Sequence, residues 1–489
     1  MPPTLERQFE PFRKNIIGYD AMFEGPYGIK KILYADWTAS GRLYGPIERK
    51  LTNQIGPFVG NTHTETTITG CAMTLAYHKA RQIIKNHVNA GANDVLISAN
   101  SGMTGVINKF QRILGLKVHE KYIKCVEKDF SDKPVIFVTH MEHHSNQTTW
   151  LETLAEVVVI PQGTDGLFSM ENFDITLEKY RDRNVKIAAV TSCSNVTGLF
   201  TPYKDIAKRI HEVGGLCFVD FACSAPYIDI DMNPDEAGQY LDAIYFSPHK
   251  FLGGPGSSGI LIFRKELYHN KIPDNPGGGT VKWTNPWGEH SYTDEIESRE
   301  DGGTPAFLQT MQVALCINLK EEMGTESMLK REEELLDILY TGFESVQGLH
   351  LLAKAQKKRL GVLSFYIDNI HYNLVVKILN DRFGIQVRGG CLCAGTYGHF
   401  LMGVSQLVSK SITSRIEEGD LSEKPGWIRL SIHPTMTDQE MHFIANALKE
   451  LVANAQKWEQ DYEYSSEDNE WRHKSFEAPE KRMVENWFA

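Results

Sequence analysis

Short apolar, β-branched runs alternate with amphipathic stretches through the middle of the chain, and this alternation sets the expected fold. Strands are predicted at Val95–Ala99, Val135–Thr139, Val157–Ile160, Ile187–Thr191, Cys217–Phe221, Ala243–Phe246 and Gly259–Phe263. Helical patterns lie between several of them, such as Tyr203–Val213, which follows a Thr201–Pro202 start signal. Buried strands alternating with helices imply βαβ units and a mostly parallel, seven-stranded sheet, with any ligand at the carboxyl ends of the strands. From about Leu315 the pattern changes. A long helix (Leu315–Leu339) precedes strand GVLSFYI, helix YNLVVKILNDRFG, the strand-like IQVRGG, then WIRLSI and the helix MTDQEMHFIANALKELVANAQ. This predicts a smaller α+β domain. The expected organisation is an N-terminal arm over 1–30 that joins the small domain, a large domain over 31–314, a small domain over 315–456 and a charged tail over 457–489.

Composition narrows the class. The 489 residues, 42% of them hydrophobic, exceed what one small core needs. A net charge of −11 argues against a nucleic-acid partner, whose footprint would be basic. The start, MPPTLERQFEPF, has no apolar stretch after its charges, and no run of 18 or more apolar residues occurs, so neither a signal peptide nor a membrane partner is expected and the location expected is cytoplasmic. Cys193, Cys217 and Cys316 sit singly in apolar runs and read as small buried side chains; only Cys391 and Cys393 stand close together, in a glycine-rich polar stretch.

The motif richest in chemistry is Ser247-Pro248-His249-Lys250, directly after AIYF and before FLGGPGSSG. A lysine at a strand end is, on position alone, most often a solvated loop residue. An amine that forms a Schiff base must be partly desolvated to be nucleophilic near neutral pH. Asp220, about one βα unit earlier at the end of LCFVD, changes the balance. A carboxylate there can keep a pyridine nitrogen protonated, which pyridoxal 5′-phosphate (PLP) requires to act as an electron sink. GPGSSG matches the dinucleotide pattern GxGxxG, but a strand follows it instead of a helix, so that reading is rejected. Asn100-Ser101-Gly102-Met103-Thr104-Gly105 lies between VLISA and VINKFQRIL, a glycine-containing turn at a helix N-terminus that suits a phosphate. In Met141-Glu142-His143-His144-Ser145-Asn146 the adjacent histidines point apart and lack an HxxxH-type partner, so no metal is expected. One histidine stacked on an aromatic cofactor fits better.

SPHK, VDFAC, MEHHSN and SGMTG, in this order and spacing, resemble the class V aminotransferase fold, and most of all the cysteine desulfurases and selenocysteine lyases, over roughly Ile32 to Leu451. The resemblance implies the type I fold of PLP-dependent transferases, with Lys250 as the Schiff-base lysine, Asp220 on the pyridine nitrogen, and His143 stacked on the ring and shuttling protons. It places Asn195, in SNVTG, on the ring's phenolic oxygen and beside the substrate. The phosphate falls to Gly102, the Met103 N–H, Thr104, Ser247 and His249. Arg429 in WIRLSI and Arg388 would take the substrate carboxylate, since a planar guanidinium grips a carboxylate through two hydrogen bonds. REDGGTP resembles the segment that crosses a homodimer interface, placing Thr304 on the phosphate of a second copy. Asn61 and His63, in GNTH, would line the mouth of the site.

Two departures stand out. Where the family reads VDGAQ, this chain has VDFAC, with Cys223 in place of glutamine. The loop VRGGCLCAG resembles the desulfurase R-x-G-H-H-C-A, which places Cys393 on the nucleophile and Cys391 on a histidine; its C-x-C is more like the desulfurase domain of molybdenum cofactor sulfurases. No second cysteine pair completes a zinc site, and a thiolate of low pKa is expected beside an arginine in a glycine-rich loop. In an extended loop, side chains two apart share a side, so the residues alone do not separate the two thiols. The expected activity is removal of sulfur or selenium from L-cysteine or L-selenocysteine, giving alanine and a persulfide on Cys393, with a sulfur-acceptor protein as a further partner. The competing readings are an aminotransferase or other PLP lyase on this fold, and a binding protein that has lost its chemistry.

Overall fold

The computed structural model describes residues 4–62, 64–127 and 132–489. The chain divides into two compact units, one of Ser40–Ser194 with Phe200–Glu326, the other of Met1–Ala39, Asn195–Leu199 and Ser327–Ala489.

The first unit is built on a seven-stranded sheet of β1 (Asp94–Ala99), β2 (Val135–Thr139), β3 (Glu156–Ile160), β4 (Lys186–Thr191), β5 (Leu216–Asp220), β6 (Ala243–Phe246) and β7 (Gly259–Arg264). Their order is β1-β7-β6-β5-β4-β2-β3. Only β7 runs antiparallel to its neighbours. Strands such as VIFVT, KIAAVT and AIYF are buried along their whole length, as a parallel sheet covered on both faces requires. Helix α1 (Gly102–Ile113) lays Met103, Val106, Ile107, Phe110 and Ile113 on the sheet. There Phe110 packs at 5.1 Å from Phe218 and 5.0 Å from Phe263. Register fixes the working edge: Thr191 pairs with Asp220, and Asp220 with Tyr245. The loops after β4, β5 and β6 therefore leave the sheet side by side.

The second unit carries a four-stranded antiparallel sheet of β8 (Leu349–Leu351), β9 (Val362–Ile367), β10 (Arg388–Gly390) and β11 (Trp427–Ser431), in the order β8-β9-β11-β10. A helix over Asp438–Trp458, opened by a Thr437–Glu440 capping box, buries Met441, Ile444, Leu448 and Leu451. Beyond it, Tyr462–Ser465 and Glu470–His473 form a hairpin, and Glu480–Phe488 is an exposed helix. No helix among the described residues is long and apolar enough to cross a membrane.

Two expectations need correction. The predicted helix Leu315–Leu339 is two helices, Phe307–Met323 and Thr325–Glu344. Between them Gly324 takes φ 77°, a conformation that costs a residue with a Cβ. The strand-like IQVRGG is also divided: Ile385–Gln386 pairs with Leu33–Tyr34, and only Arg388–Gly390 joins the antiparallel sheet.

Candidate active site

In the first unit, β5 ends on Asp220 and β6 runs into a single 3-10 turn, Pro248–Lys250. Asp220 is almost wholly buried. Desolvation pushes its carboxyl up to about 6, against the opposing pull of the Ala222 N–H, 2.7 Å from Oδ1, and of the Lys250 ammonium. The same lysine's charge, after desolvation, holds His249 down at about 4, so His249 is neutral near pH 7. A buried carboxylate with a lysine close enough to act on it is the donor set a protonated pyridine and its aldehyde require, so these residues fit PLP.

His143 caps helix α2 (His144–Leu151), its Nδ1 accepting from the Ser145 N–H at 3.1 Å. That bond fixes the neutral tautomer with its proton on Nε2. The preceding residue, Glu142, is fully buried. Its Oε1 accepts from Thr139 N (3.1 Å), Thr139 Oγ1 (2.7 Å) and Thr191 N (2.9 Å), while Oε2 accepts from Asn146 Nδ2 (2.8 Å). Asn146 Oδ1 accepts in turn from the Tyr245 hydroxyl at 2.7 Å. Burial raises the Glu142 carboxyl to about 8 despite those donors. This network ties the ends of β2 and β4 to α2 and so fixes the His143 backbone. Neither Glu142 nor Tyr245 was expected as part of a site; the signal available was an acidic residue directly before the histidine pair.

At the turn expected to hold the phosphate, Ser101 and the expected ligand Gly102 open α1 at φ 70° and 60°. A Cβ on Gly102 would come within 3.0 Å of Ser247 Oγ, so close approach requires glycine here. The Met103 N–H donates to Ser247 Oγ at 2.8 Å, and Thr104 Oγ1 lies 2.6 Å from Ser145 Oγ. Loop, serine and helix N-terminus thus form one hydrogen-bonded cradle that fits a phosphate. Cys223, in the glutamine position, directs its thiol to the Ser194 carbonyl at 3.6 Å. Thr304 is exposed in the loop before helix Phe307–Met323. His63 lies outside the described residues; Asn61 is exposed.

The second unit brings together the other expected residues. Register places Arg388 directly opposite Arg429 on β10 and β11. Like charges so placed repel, and Asp36 lies between them. Its Oδ1 accepts from Arg429 Nη2 at 2.7 Å and its Oδ2 from Arg388 Nε at 2.9 Å. Arg429 is 3% exposed and also donates to the Asn195 carbonyl at 3.2 Å. Its Nε and the Oδ1 of Asn195 are buried with no hydrogen-bond partner among the described residues. Asn195 belongs to this unit, and its Nδ2 donates to the Leu392 carbonyl at 2.8 Å, the peptide between the two cysteines.

The cysteine loop is not extended. Ala394 N–H donates to the Cys391 carbonyl at 3.1 Å, and Leu392 and Cys393 both sit at φ 56°, so the chain makes a tight turn. Leu392 is anchored inward, Cys391 is half-buried and Cys393 is exposed. Geometry therefore does separate the two thiols, contrary to the extended-loop expectation.

A family described as Aminotransferase class-V matches residues 33–443. A probable cysteine desulfurase of Staphylococcus epidermidis is 28% identical over 369 residues, which is 75% of this chain and 84% of the relative. One of Halalkalibacterium halodurans is 28% identical over 367 residues, 74% of this chain and 84% of the relative. Among solved structures, a cysteine desulfurase from Thermococcus onnurineus matches with a TM-score of 0.71 at 21% identity, covering 91% of this chain and 98% of that one. One from Escherichia coli matches with a TM-score of 0.67 at 20% identity, with the same coverage. At these identities the structural likeness shows the fold, the type I fold of PLP-dependent transferases that the sequence predicted.

Proposed function

Because the chain belongs to the class V aminotransferase family, whose enzymes use PLP, we propose that it is a cysteine desulfurase, taking sulfur or selenium from L-cysteine or L-selenocysteine and leaving alanine. The observation that carries this reading is the exposed Cys393 on a tight turn, in the same unit as the paired Arg388 and Arg429. Bound PLP supplies an electron sink for the pair left at Cα when its proton is removed.

In this reading Lys250 holds the cofactor and, once released from it, takes the Cα proton. Asp220 keeps the ring nitrogen protonated; placing a cation beside it favours its charged form and offsets its desolvation. His143, its tautomer set by the Ser145 N–H, covers the ring and holds a proton at Nε2. Gly102, Met103, Thr104, Ser247 and His249 hold the phosphate, and Thr304 serves the phosphate of a second copy in a homodimer. Arg429, with an unpartnered buried Nε, takes the substrate carboxylate with Arg388. Asn195 fixes the Leu392 peptide and thereby the turn carrying Cys393. The Cys393 thiolate attacks the substrate's sulfur, the carbon–sulfur bond breaks with its electron pair left on the substrate's β carbon, that carbon takes one proton, and the proton Lys250 removed goes back to Cα, so that alanine can leave. The enzyme keeps the sulfur as a persulfide, exposed to an acceptor thiol.

Cys393→Ser tests this reading. It should keep the cofactor's absorbance and its change on adding L-cysteine, yet release almost no alanine. Alanine release at the wild-type rate would replace the desulfurase reading with that of a lyase or aminotransferase.

A further inference from the structure

The turn that carries Cys393 hangs from a joint that its own strand does not stiffen. β10 ends at Gly390, which takes φ 111°, and the chain then folds back through Cys391 and Leu392. Glycine leaves such a joint more freedom than any other residue. One tie on the turn is the Asn195 amide at the Leu392 carbonyl. A second support is Tyr372, which opens helix Tyr372–Ile378. Its ring lies flat against the roots of both strands: a Cβ on Gly389 would come within 3.1 Å of it, and one on Gly426, just before β11, within 2.5 Å. Burial raises the Tyr372 phenol, the Asn469 hydrogen bond opposes that rise, and charge on Tyr464 and then on Cys391 adds to it, so the phenol and the Cys391 thiol are neighbours.

Tyr372 is held in turn by the C-terminal hairpin. At the end of the hairpin's turn, directly before Glu470–His473, Asn469 is buried and takes φ 59°. The Tyr464 hydroxyl donates to Asn469 Oδ1 at 2.8 Å, Asn469 Nδ2 donates to the Tyr372 oxygen at 2.6 Å, and the Tyr372 hydroxyl donates to the Lys424 carbonyl at 3.3 Å. Each bond in such a chain polarises the next. Asn373 Nδ2 donates to the Asn469 carbonyl at 2.6 Å. The His371 ring stacks on Tyr372 at 4.4 Å and lies 5.1 Å from Tyr464. Glycine would suit the Asn469 backbone better, but only an amide can accept from one tyrosine and donate to another. The hairpin lies beyond residue 443, where the class V match stops.

We propose that Asn469 is a positioning residue for the nucleophile: acting through Tyr372, it braces the glycine joint from which the turn carrying Cys393 hangs. The proposal rests on the desulfurase reading, in which Cys393 accepts the sulfur. Arg388, one residue before Gly389, is held separately by Asp36, so loss of the brace is felt beyond Gly389 and not before it. Position matters at this point, because misplacing a reacting group by about 1 Å can cost about a hundredfold in rate.

The test uses the PLP-loaded, full-length enzyme. Asn469→Gly keeps the left-handed backbone and the main-chain carbonyl that Asn373 uses, and removes only the amide. The absorbance change on adding L-cysteine should keep its size and its half-saturating concentration, while persulfide formation on Cys393 in a single turnover slows by about tenfold or more. Hydrogen exchange without substrate gives a readout independent of activity. The Ala394 amide, which closes the turn on the Cys391 carbonyl, should exchange about fivefold faster or more in the variant. Tyr372→Phe keeps the ring and loses the same hydrogen bond, so it should show both effects, and it serves if Asn469→Gly does not fold. The double variant should be no slower than the worse single one, because both changes remove one interaction. Additive losses, equal losses in the absorbance change and in sulfur transfer, or unchanged exchange at Ala394 would overturn the proposal and leave Asn469 a residue of the hairpin alone. If the wild type forms no persulfide yet Ala394 exchange quickens in both variants, the desulfurase reading fails and the brace stands.

Discussion

Asp220→Asn should make the cofactor-free protein more stable and the loaded enzyme nearly inactive. Burial raises the Asp220 carboxyl to about 6 in the folded chain, against about 3.9 in an unfolded one. An acid whose folded pKa is raised contributes most stability when protonated and loses it as pH climbs from the unfolded value through the folded one. The wild-type protein therefore carries a penalty that asparagine lacks. Evaluating the linkage with those two pKa values gives about 1.5 kcal/mol at pH 5 and about 3 kcal/mol at pH 8 in favour of the variant. Asparagine can still accept the Ala222 N–H through its side-chain oxygen, so that bond does not offset the gain. The assay is thermal unfolding of both cofactor-free proteins at pH 5 and pH 8. The variant should melt higher at both, by several degrees at pH 8, with the wider gap at the higher pH. Loaded with PLP, the variant should lose about two orders of magnitude or more in turnover, because the ring nitrogen loses its partner. A variant that melts lower than wild type at pH 8, or a gap that narrows from pH 5 to pH 8, would refute the assignment of a desolvated, largely unpaired carboxylate.

Lys250→Ala should abolish any cofactor link that borohydride can fix, and the yellow absorbance of the wild type with it; a colourless wild type that takes up no PLP would contradict the assignment. Cys391→Ser should keep first-turnover alanine and slow only sulfur transfer to added thiols, because the proposed nucleophile is the exposed Cys393 and a second thiol serves only in exchange; losing the first turnover would make Cys391 the nucleophile. Tyr245→Phe removes the 2.7 Å donor to Asn146 Oδ1 and leaves that buried acceptor with only the distant Trp150 Nε1 at 3.4 Å. It should cost about 1–2 kcal/mol in thermal or urea unfolding, and an unchanged melting temperature would mean that the network beneath His143 does not hold the fold.

The seven sheet strands were legible because each carries a continuous apolar run, as strands of a mostly parallel sheet do. Lys250 and Asp220 were legible only as a pair: position alone favours a solvated loop lysine, and the carboxylate at the end of LCFVD, about one βα unit earlier, shifts that balance. The resemblance of motifs supplied the rest of the candidate set, but not how its members are held. Asp36 bridges residues more than 350 positions away, and no local pattern announces so distant a partner. Glu142 stands within a quoted motif, but what marks it is four donors converging from two strands and a helix, which only the sheet register brings together. The turn at Leu392–Cys393 was missed because both residues adopt a left-handed backbone without a glycine to signal it. That the Asn195 amide donates to the Leu392 carbonyl, between the cysteines, was not legible, because the two residues lie 197 positions apart.

The account turns on sulfur reaching Cys393. Purified enzyme loaded with PLP, given L-cysteine without a reductant or acceptor, and then digested for mass spectrometry, tests that claim most directly. The peptide carrying Cys391 and Cys393 should gain one sulfur atom, located by fragmentation on Cys393, and alanine should appear in an amount equal to the persulfide. Alanine without any persulfide, or sulfur retained elsewhere on the chain, would contradict it.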